Sequence, residues 1–173
     1  MTQQELDQLI SAITQRLQPE QKPNDGIITV NGYKSIYLSR DKEDNAIMYH
    51  VNQGEVTFVE GNAIKGRLSR VISYVKNEGD KKTESEKLSV YIECSQAKYR
   101  LEVGIDRIAG KDILSDLVTL SSEQLKQPVT IAFKRGDDVV FAKILESERD
   151  RSGQNYEHIE SKALLEQVQA LLS

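Results

Sequence analysis

The chain has 173 residues, with 23 Lys and Arg against 27 Asp and Glu, 38% hydrophobic residues, 10 Gly, 3 Pro and one Cys. That length suits one domain with additions at its ends rather than two full-sized domains. The lone Cys94 excludes an internal disulfide, and no apolar run approaches the roughly 18 residues that cross a bilayer. No charged-then-apolar leader pattern opens the chain and no glycine follows Met1 for myristoylation, so a cytoplasmic protein away from the membrane is expected.

In chain order, Leu6, Leu9, Ile10, Ile13 and Leu17 recur at helical spacing, and Thr2 to Glu5 fits a capping box, which predicts an amphipathic helix over 2–17. Pro19, Pro23 and Asn24-Asp25-Gly26 end it. Short runs rich in Ile, Val, Tyr and Phe follow at 27–30, 35–39, 46–51 and 55–60. Turn residues separate them at Asn31-Gly32, Arg40 to Asn45 and Asn52-Gln53-Gly54, so a meander of hairpins is expected.

The next stretch predicts a long strand over 65–76 and a polar loop over 77–86. Strands then follow over 88–94 and 98–105, and a helix over 111–120 in which Ile113, Leu114, Leu117, Val118 and Leu120 recur. After Pro128 a hairpin joins 129–134 to 139–145 across Arg135-Gly136-Asp137-Asp138, with Gly136 expected at positive φ. Three strands, a helix and two strands is an element order that resembles the OB-fold, over about 61–147. The resemblance implies a five-stranded Greek-key barrel whose ligand surface lies on its second and third strands and on the loops 77–86 and 135–138. The expected fold is therefore mainly β with flanking helices: an OB-like barrel over 61–147, an N-terminal helix and β meander over 1–60 packed on it, and a C-terminal amphipathic helix over 148–173. In that last segment Asn155 caps a helix over 156–172, with Ile159, Ala163, Leu164, Val168, Leu171 and Leu172 on one side. This side either packs on the barrel or on the first helix, or serves self-association.

Charge is unevenly spread. Residues 1–60 carry a net of −4, residues 61–135 a net of +4, and residues 136–173 a net of −4. A basic centre between acidic ends fits a local anion-binding surface. Strand alternation sets Leu88, Val90, Ile92 and Cys94 inward, leaving Lys87, Ser89, Tyr91 and Glu93 outward. In the following strand Tyr99, Leu101, Val103 and Ile105 go inward and Lys98, Arg100 and Glu102 outward. Arg70 and Tyr74 share a side of the long strand, but Leu68 and Ile72 share their parity, so either face could be core unless a bulge shifts the register. Lys134 and Arg135 enter the last hairpin loop. Cations that track phosphates beside an aromatic ring that stacks on any base form the composition of a single-stranded nucleic-acid site. The expected site residues are Arg70, Tyr74, Lys87, Tyr91, Lys98, Arg100, Lys134 and Arg135.

Catalytic and metal chemistry find no foothold. Gly61 to Leu68 has P-loop glycine spacing, but Arg67 and Leu68 replace the lysine and the hydroxyl, and a strand rather than a helix follows. Asp41 to Asn45 opens like a calcium loop yet lacks the glycine and the closing glutamate, so a hairpin turn is expected. Asp137-Asp138 fits a turn. His50, His158 and Cys94 lie far apart, without zinc spacing, and Cys94 sits on the apolar parity of its strand. No metal, cofactor or enzymatic activity is expected. The function expected is a non-catalytic module for single-stranded DNA or RNA with little sequence preference; the alternative is a protein-interaction or assembly subunit that uses the barrel as scaffold and the terminal helices as contacts.

Overall fold

The computed structural model describes residues 32–44, 46–78 and 83–173. The expected helix over 2–17, the strand over 27–30 and residues 79–82 of the expected polar loop lie outside the described residues. Eight strands run β1 (Tyr33–Leu38), β2 (Met48–Asn52), β3 (Glu55–Val59), β4 (Ala63–Glu78), β5 (Thr83–Glu93), β6 (Lys98–Gly104), β7 (Val129–Arg135) and β8 (Val140–Ile144). Helix α1 (Ile108–Leu117) and the short α2 (Ser122–Leu125) lie between β6 and β7, and α3 (Ser161–Leu172) closes the chain.

The strands form one sheet in the order β3-β2-β1-β6-β5-β4-β7-β8. It is an open, mainly antiparallel sheet. β4 pairs with β5 along most of its length and with β7 through Ala63 to Gly66, so this long strand joins the two halves of the central segment. The remaining edge of β6 is taken by β1, in parallel, with Ile36 opposite Leu101. The meander β1-β2-β3 thus continues the sheet rather than lying over it as a second layer. Its β2–β3 turn places both Gln53 (φ 50°) and Gly54 (φ 83°) in the left-handed region, the geometry that matches hairpin twist.

Boundaries differ from the expected ones where side-chain polarity misled. Residues 77–78 and 83–86 belong to strands: Asn77 pairs with Glu84 and Lys76 with Ser85. Ladder hydrogen bonds do not require apolar side chains, so the described part of the polar loop extends the two strands. At the last hairpin the turn closes with Gly136 N donating to Val139 O at 2.8 Å. Gly136 is not among the positive-φ residues. Its requirement is space, because a Cβ there would lie 2.8 Å from Phe141 Cε2. Helix α1 starts at Ile108, earlier than expected, and stops at Leu117, where Thr119 and Leu120 turn their amides back to Asp116 and Leu117. The single helix expected over 156–172 is a 3-10 turn at Tyr156–His158 followed by α3, with Asn155 Oδ1 accepting from Glu157 N at 3.0 Å.

The core lies between the inner face of the sheet and helices α1 and α3. Leu88, Val90, Ile92, Leu101, Ile131 and Ile144 from the strands meet Ile113, Leu114 and Leu117 from α1 and Leu165 and Val168 from α3, all buried. The apolar side of α3 therefore packs on the body of the protein, and Gln169 Nε2 reaches Val71 O at 3.0 Å. Apolar burial on this scale dominates folding stability, at about 25 cal/mol per Å² removed from water.

The free edge of β8 is closed by carboxylates. Asp112 and Asp116 stand one turn apart on α1 and are buried, and their side chains accept the β8 amides of Ala142 at 3.1 Å and Ile144 at 2.8 Å. These amides point away from β7, where a further strand would otherwise pair. Arg149 and Arg151 neutralise both carboxylates, with Arg149 Nε 2.6 Å from Asp116 Oδ1, and Tyr156 donates to Asp112 Oδ1 at 2.9 Å. An exposed strand edge invites pairing with other chains, and this cluster blocks it. Burial, then the hydrogen bond to Asp112, pushes the Tyr156 phenol up to about 12.

Candidate functional site

β4 changes face partway along. The pairing shifts between Leu68 and Arg70, a bulge that inserts one residue. Before it the even positions Ile64, Gly66 and Leu68 are buried; after it Val71 is, and Arg70, Ile72 and Tyr74 turn to the opposite, outer face. This resolves the shared parity of Leu68 and Tyr74. The outer face then reads across strands in register: Arg70, Tyr91, Arg100 and Ser35 in one row, and Ile72, Ser89 and Glu102 in the next.

Aromatic rings gather on this face. Tyr33 and Tyr91 meet edge to face with centroids 5.0 Å apart, and Tyr37, Tyr49 and Phe58 continue the series across β1, β2 and β3 at 5.6 and 6.1 Å. With Tyr74, five of the chain's seven tyrosines lie here. Two cations lie over rings: Arg70 Cζ is 6.0 Å from the Tyr91 centroid and Lys98 Nζ is 5.6 Å from that of Tyr33.

Hydrogen bonds fix the rings in place. Tyr33 donates to Glu93 at 2.8 Å, and Lys98 pairs with the same carboxylate at 3.0 Å; together they hold the Glu93 carboxyl below its ordinary range, the Tyr33 bond being the larger cause. Glu102 was expected to face solvent, but it is 6% exposed. Tyr74 OH donates to it, Arg100 lies 3.5 Å away and Lys76 3.7 Å away, which is how a buried carboxylate is compensated. Burial, and then the bond to Glu102, raise the Tyr74 phenol well above its usual range. Burial by itself would lower Arg100, but Glu102 and the neighbouring tyrosines outweigh it and the guanidinium is raised. Arg100 also donates to Ser35 through Nε at 3.1 Å and Nη2 at 2.8 Å, so its planar fork is held against β1.

Six of the eight expected residues, Arg70, Tyr74, Lys87, Tyr91, Lys98 and Arg100, share this outer face. Lys134 and Arg135 do not. Lys134 lies past Ala132, which pairs with Ala63, seven residues and roughly 23 Å of strand from Arg70. Arg135 reaches instead to the backbone oxygens of Ser39 (3.2 Å), Asp44 (3.0 Å) and Ala46. Sequence reasoning missed Tyr33, Tyr37, Tyr49 and Phe58. The alternation Tyr33-Ser35-Tyr37 against Ile36 was legible, but not the parallel pairing that sets it beside Arg100. One end of the face opens into a groove of 560 Å³ whose lining includes Tyr37, Tyr49, Lys87, Glu102, Arg40 and Arg107.

Among the described residues no group of His, Cys, Asp or Glu is arranged to hold a metal. Cys94 is partly buried, its Sγ lies 3.1 Å from Lys65 O, and burial raises its pKa, away from nucleophilic thiolate chemistry. No helix among the described residues is long and apolar enough to cross a membrane. Comparison with known protein families, with curated proteins and with solved structures finds no match to this chain.

Proposed function

We propose that the outer face binds single-stranded DNA or RNA with little sequence preference, as a non-catalytic module in the cytoplasm. The observation that carries this reading is the pairing of cations with aromatic rings: Arg70 over Tyr91 and Lys98 over Tyr33, on rings that also contact each other. A strand laid across β5, β6 and β1 meets rings for its bases at Tyr91 and Tyr33 and cations for its phosphates at Arg70 and Lys98, because stacking on a ring needs no particular base and a cation beside the ring follows the backbone. Arg100 and Glu102 position the face rather than contact the ligand, since Glu102 is buried and the Arg100 fork is held by Ser35 and Glu102.

We further read residues 61–147 as an OB-like unit. Support comes from the order of three strands, helix and two strands, from β4 bridging the two halves, and from Tyr91, Lys98 and Arg100 on the outer face of β5 and β6, the second and third strands, where ligands of that fold bind. On this reading β1 occupies the edge of β6.

The test is fluorescence anisotropy of labelled single-stranded DNA and RNA at low and near-physiological salt, with duplex as competitor. Saturable binding that prefers single strands and weakens as salt rises is expected. No binding at low salt, or equal affinity for duplex, contradicts the proposal.

A further inference from the structure

A second surface lies outside the β7–β8 hairpin. It is a groove of 630 Å³ with an apolar floor that includes Ile47, Phe141 and Leu145, and its rim carries Lys134, Arg135 and Lys143. Leu145 is 57% exposed, one of the largest apolar exposures in the described residues. Among the described residues no acidic side chain lines this groove. Lys134 and Lys143 are exposed on alternating strand positions that point the same way as Phe141. The Arg135 guanidinium donates to neutral carbonyl oxygens, so its charge is not cancelled by a carboxylate there. Arg151, at one side, is already bound to Asp112 and Asp116.

We propose that this groove docks an acidic peptide segment carrying a bulky aliphatic or aromatic side chain. The apolar side chain covers Leu145 and Phe141, and flanking carboxylates meet Lys134, Lys143 and Arg135. Charge complementarity selects the acidic partner, because Lys134, Lys143 and Arg135 form no ion pair among the described residues and surround a floor that no described acid lines, so they repel basic segments and attract acidic ones. The floor selects a peptide over a nucleic-acid strand. Its most exposed apolar group is the aliphatic Leu145, while the Phe141 ring is partly buried with its Cε2 edge beside Gly136, 2.8 Å from where a Cβ would lie. Tyrosines, which stack on bases, are on the other surface. This inference stands apart from the nucleic-acid proposal and uses none of the residues of the outer face.

Selection of random dodecapeptides from a displayed library on the full chain tests it, followed by anisotropy with the enriched peptides in synthetic form. The expected result is a consensus of Asp or Glu around Leu, Ile or Phe. Binding should fall at least tenfold in Leu145→Asp and in Lys134→Glu/Lys143→Glu, with circular dichroism unchanged in both, since these side chains are exposed. No enrichment, a consensus without acids, or peptides that bind the variants as well as the parent overturns it. Binding of a 15-nucleotide oligothymidylate that is lost in Leu145→Asp would assign the groove to nucleic acid and also overturn it.

Discussion

Two regions of this protein use the same side chains to different ends. At the β8 edge Asp112, Asp116, Arg149, Arg151 and Tyr156 are packed so that the carboxylates are buried and bonded to backbone amides as well as to guanidinium groups. On the outer face Glu93, Glu102, Arg70, Arg100, Lys98 and five tyrosines also pair, but the rings stay half exposed and Arg70 and Lys98 are exposed. The first arrangement commits its carboxylates to backbone amides and guanidinium groups and stabilises the fold; the second leaves Arg70 and Lys98 exposed beside partly exposed rings. Composition cannot separate a structural ion cluster from a binding face. Enclosure can.

Breaking the enclosed cluster should have the largest effect. Asp116→Ala leaves Arg149 and Arg151 short of a partner and the Ile144 amide without an acceptor, and removal of one member of a buried pair costs about 3 to 5 kcal/mol. Urea denaturation should show that loss; a change under about 1 kcal/mol would mean water replaces the carboxylate freely. On the outer face, Tyr91→Ala should weaken oligonucleotide binding by roughly 1 to 3 kcal/mol if its ring stacks on a base. Its contact with Tyr33 makes the variant about 1 kcal/mol less stable as well. Unchanged affinity removes Tyr91 from the site.

Tyr74→Phe sharpens the contrast, because it removes the neutral donor that holds Glu102 and keeps the ring. A hydrogen bond to a charged group contributes about 1.5 kcal/mol or more. The Tyr74 pKa is raised, so its contribution is complete below the ordinary phenol pKa of about 10 and is lost as pH climbs above it, where the unfolded chain releases a proton that the folded one keeps. The parent should therefore lose stability above about pH 10, and Tyr74→Phe should lose less. An identical alkaline profile in both would show that another group governs it. Ser89 gives the smallest effect. Its hydroxyl is buried beside Glu102 with no hydrogen-bond partner among the described residues, so Ser89→Ala should leave stability unchanged or slightly raised in the same denaturation assay.

Much of this was legible in the residues. Periodicity located the strands of the central segment, and the alternation Leu88, Val90, Ile92 against Lys87, Ser89, Tyr91 assigned the faces of β5 correctly. The rest depended on pairings that local sequence does not encode. Glu102 is outward by alternation, yet it is buried because Arg100, Tyr74 and Lys76 converge on it from three positions along the chain. The bulge at Leu68 to Arg70 shows only as a conflict of parity until β5 is laid beside it. Lys134 and Arg135 look like neighbours of the outer face on the OB-fold resemblance, but β7 pairs with β4 ahead of the bulge, and that carries them to the other groove. Asp112 and Asp116 on an apolar helix were a signal passed over: two acids one turn apart among buried residues require partners, and the nearest free donors belong to an edge strand.

The chain has no tryptophan, so intrinsic emission comes from its seven tyrosines, five of them on the outer face. Titration of tyrosine fluorescence with a single-stranded oligothymidylate therefore reads the central claim directly. Saturable quenching of most of the emission, reversed by salt and much reduced in Tyr91→Ala, is the predicted result. Emission that stays constant through saturating oligonucleotide at low salt would contradict it.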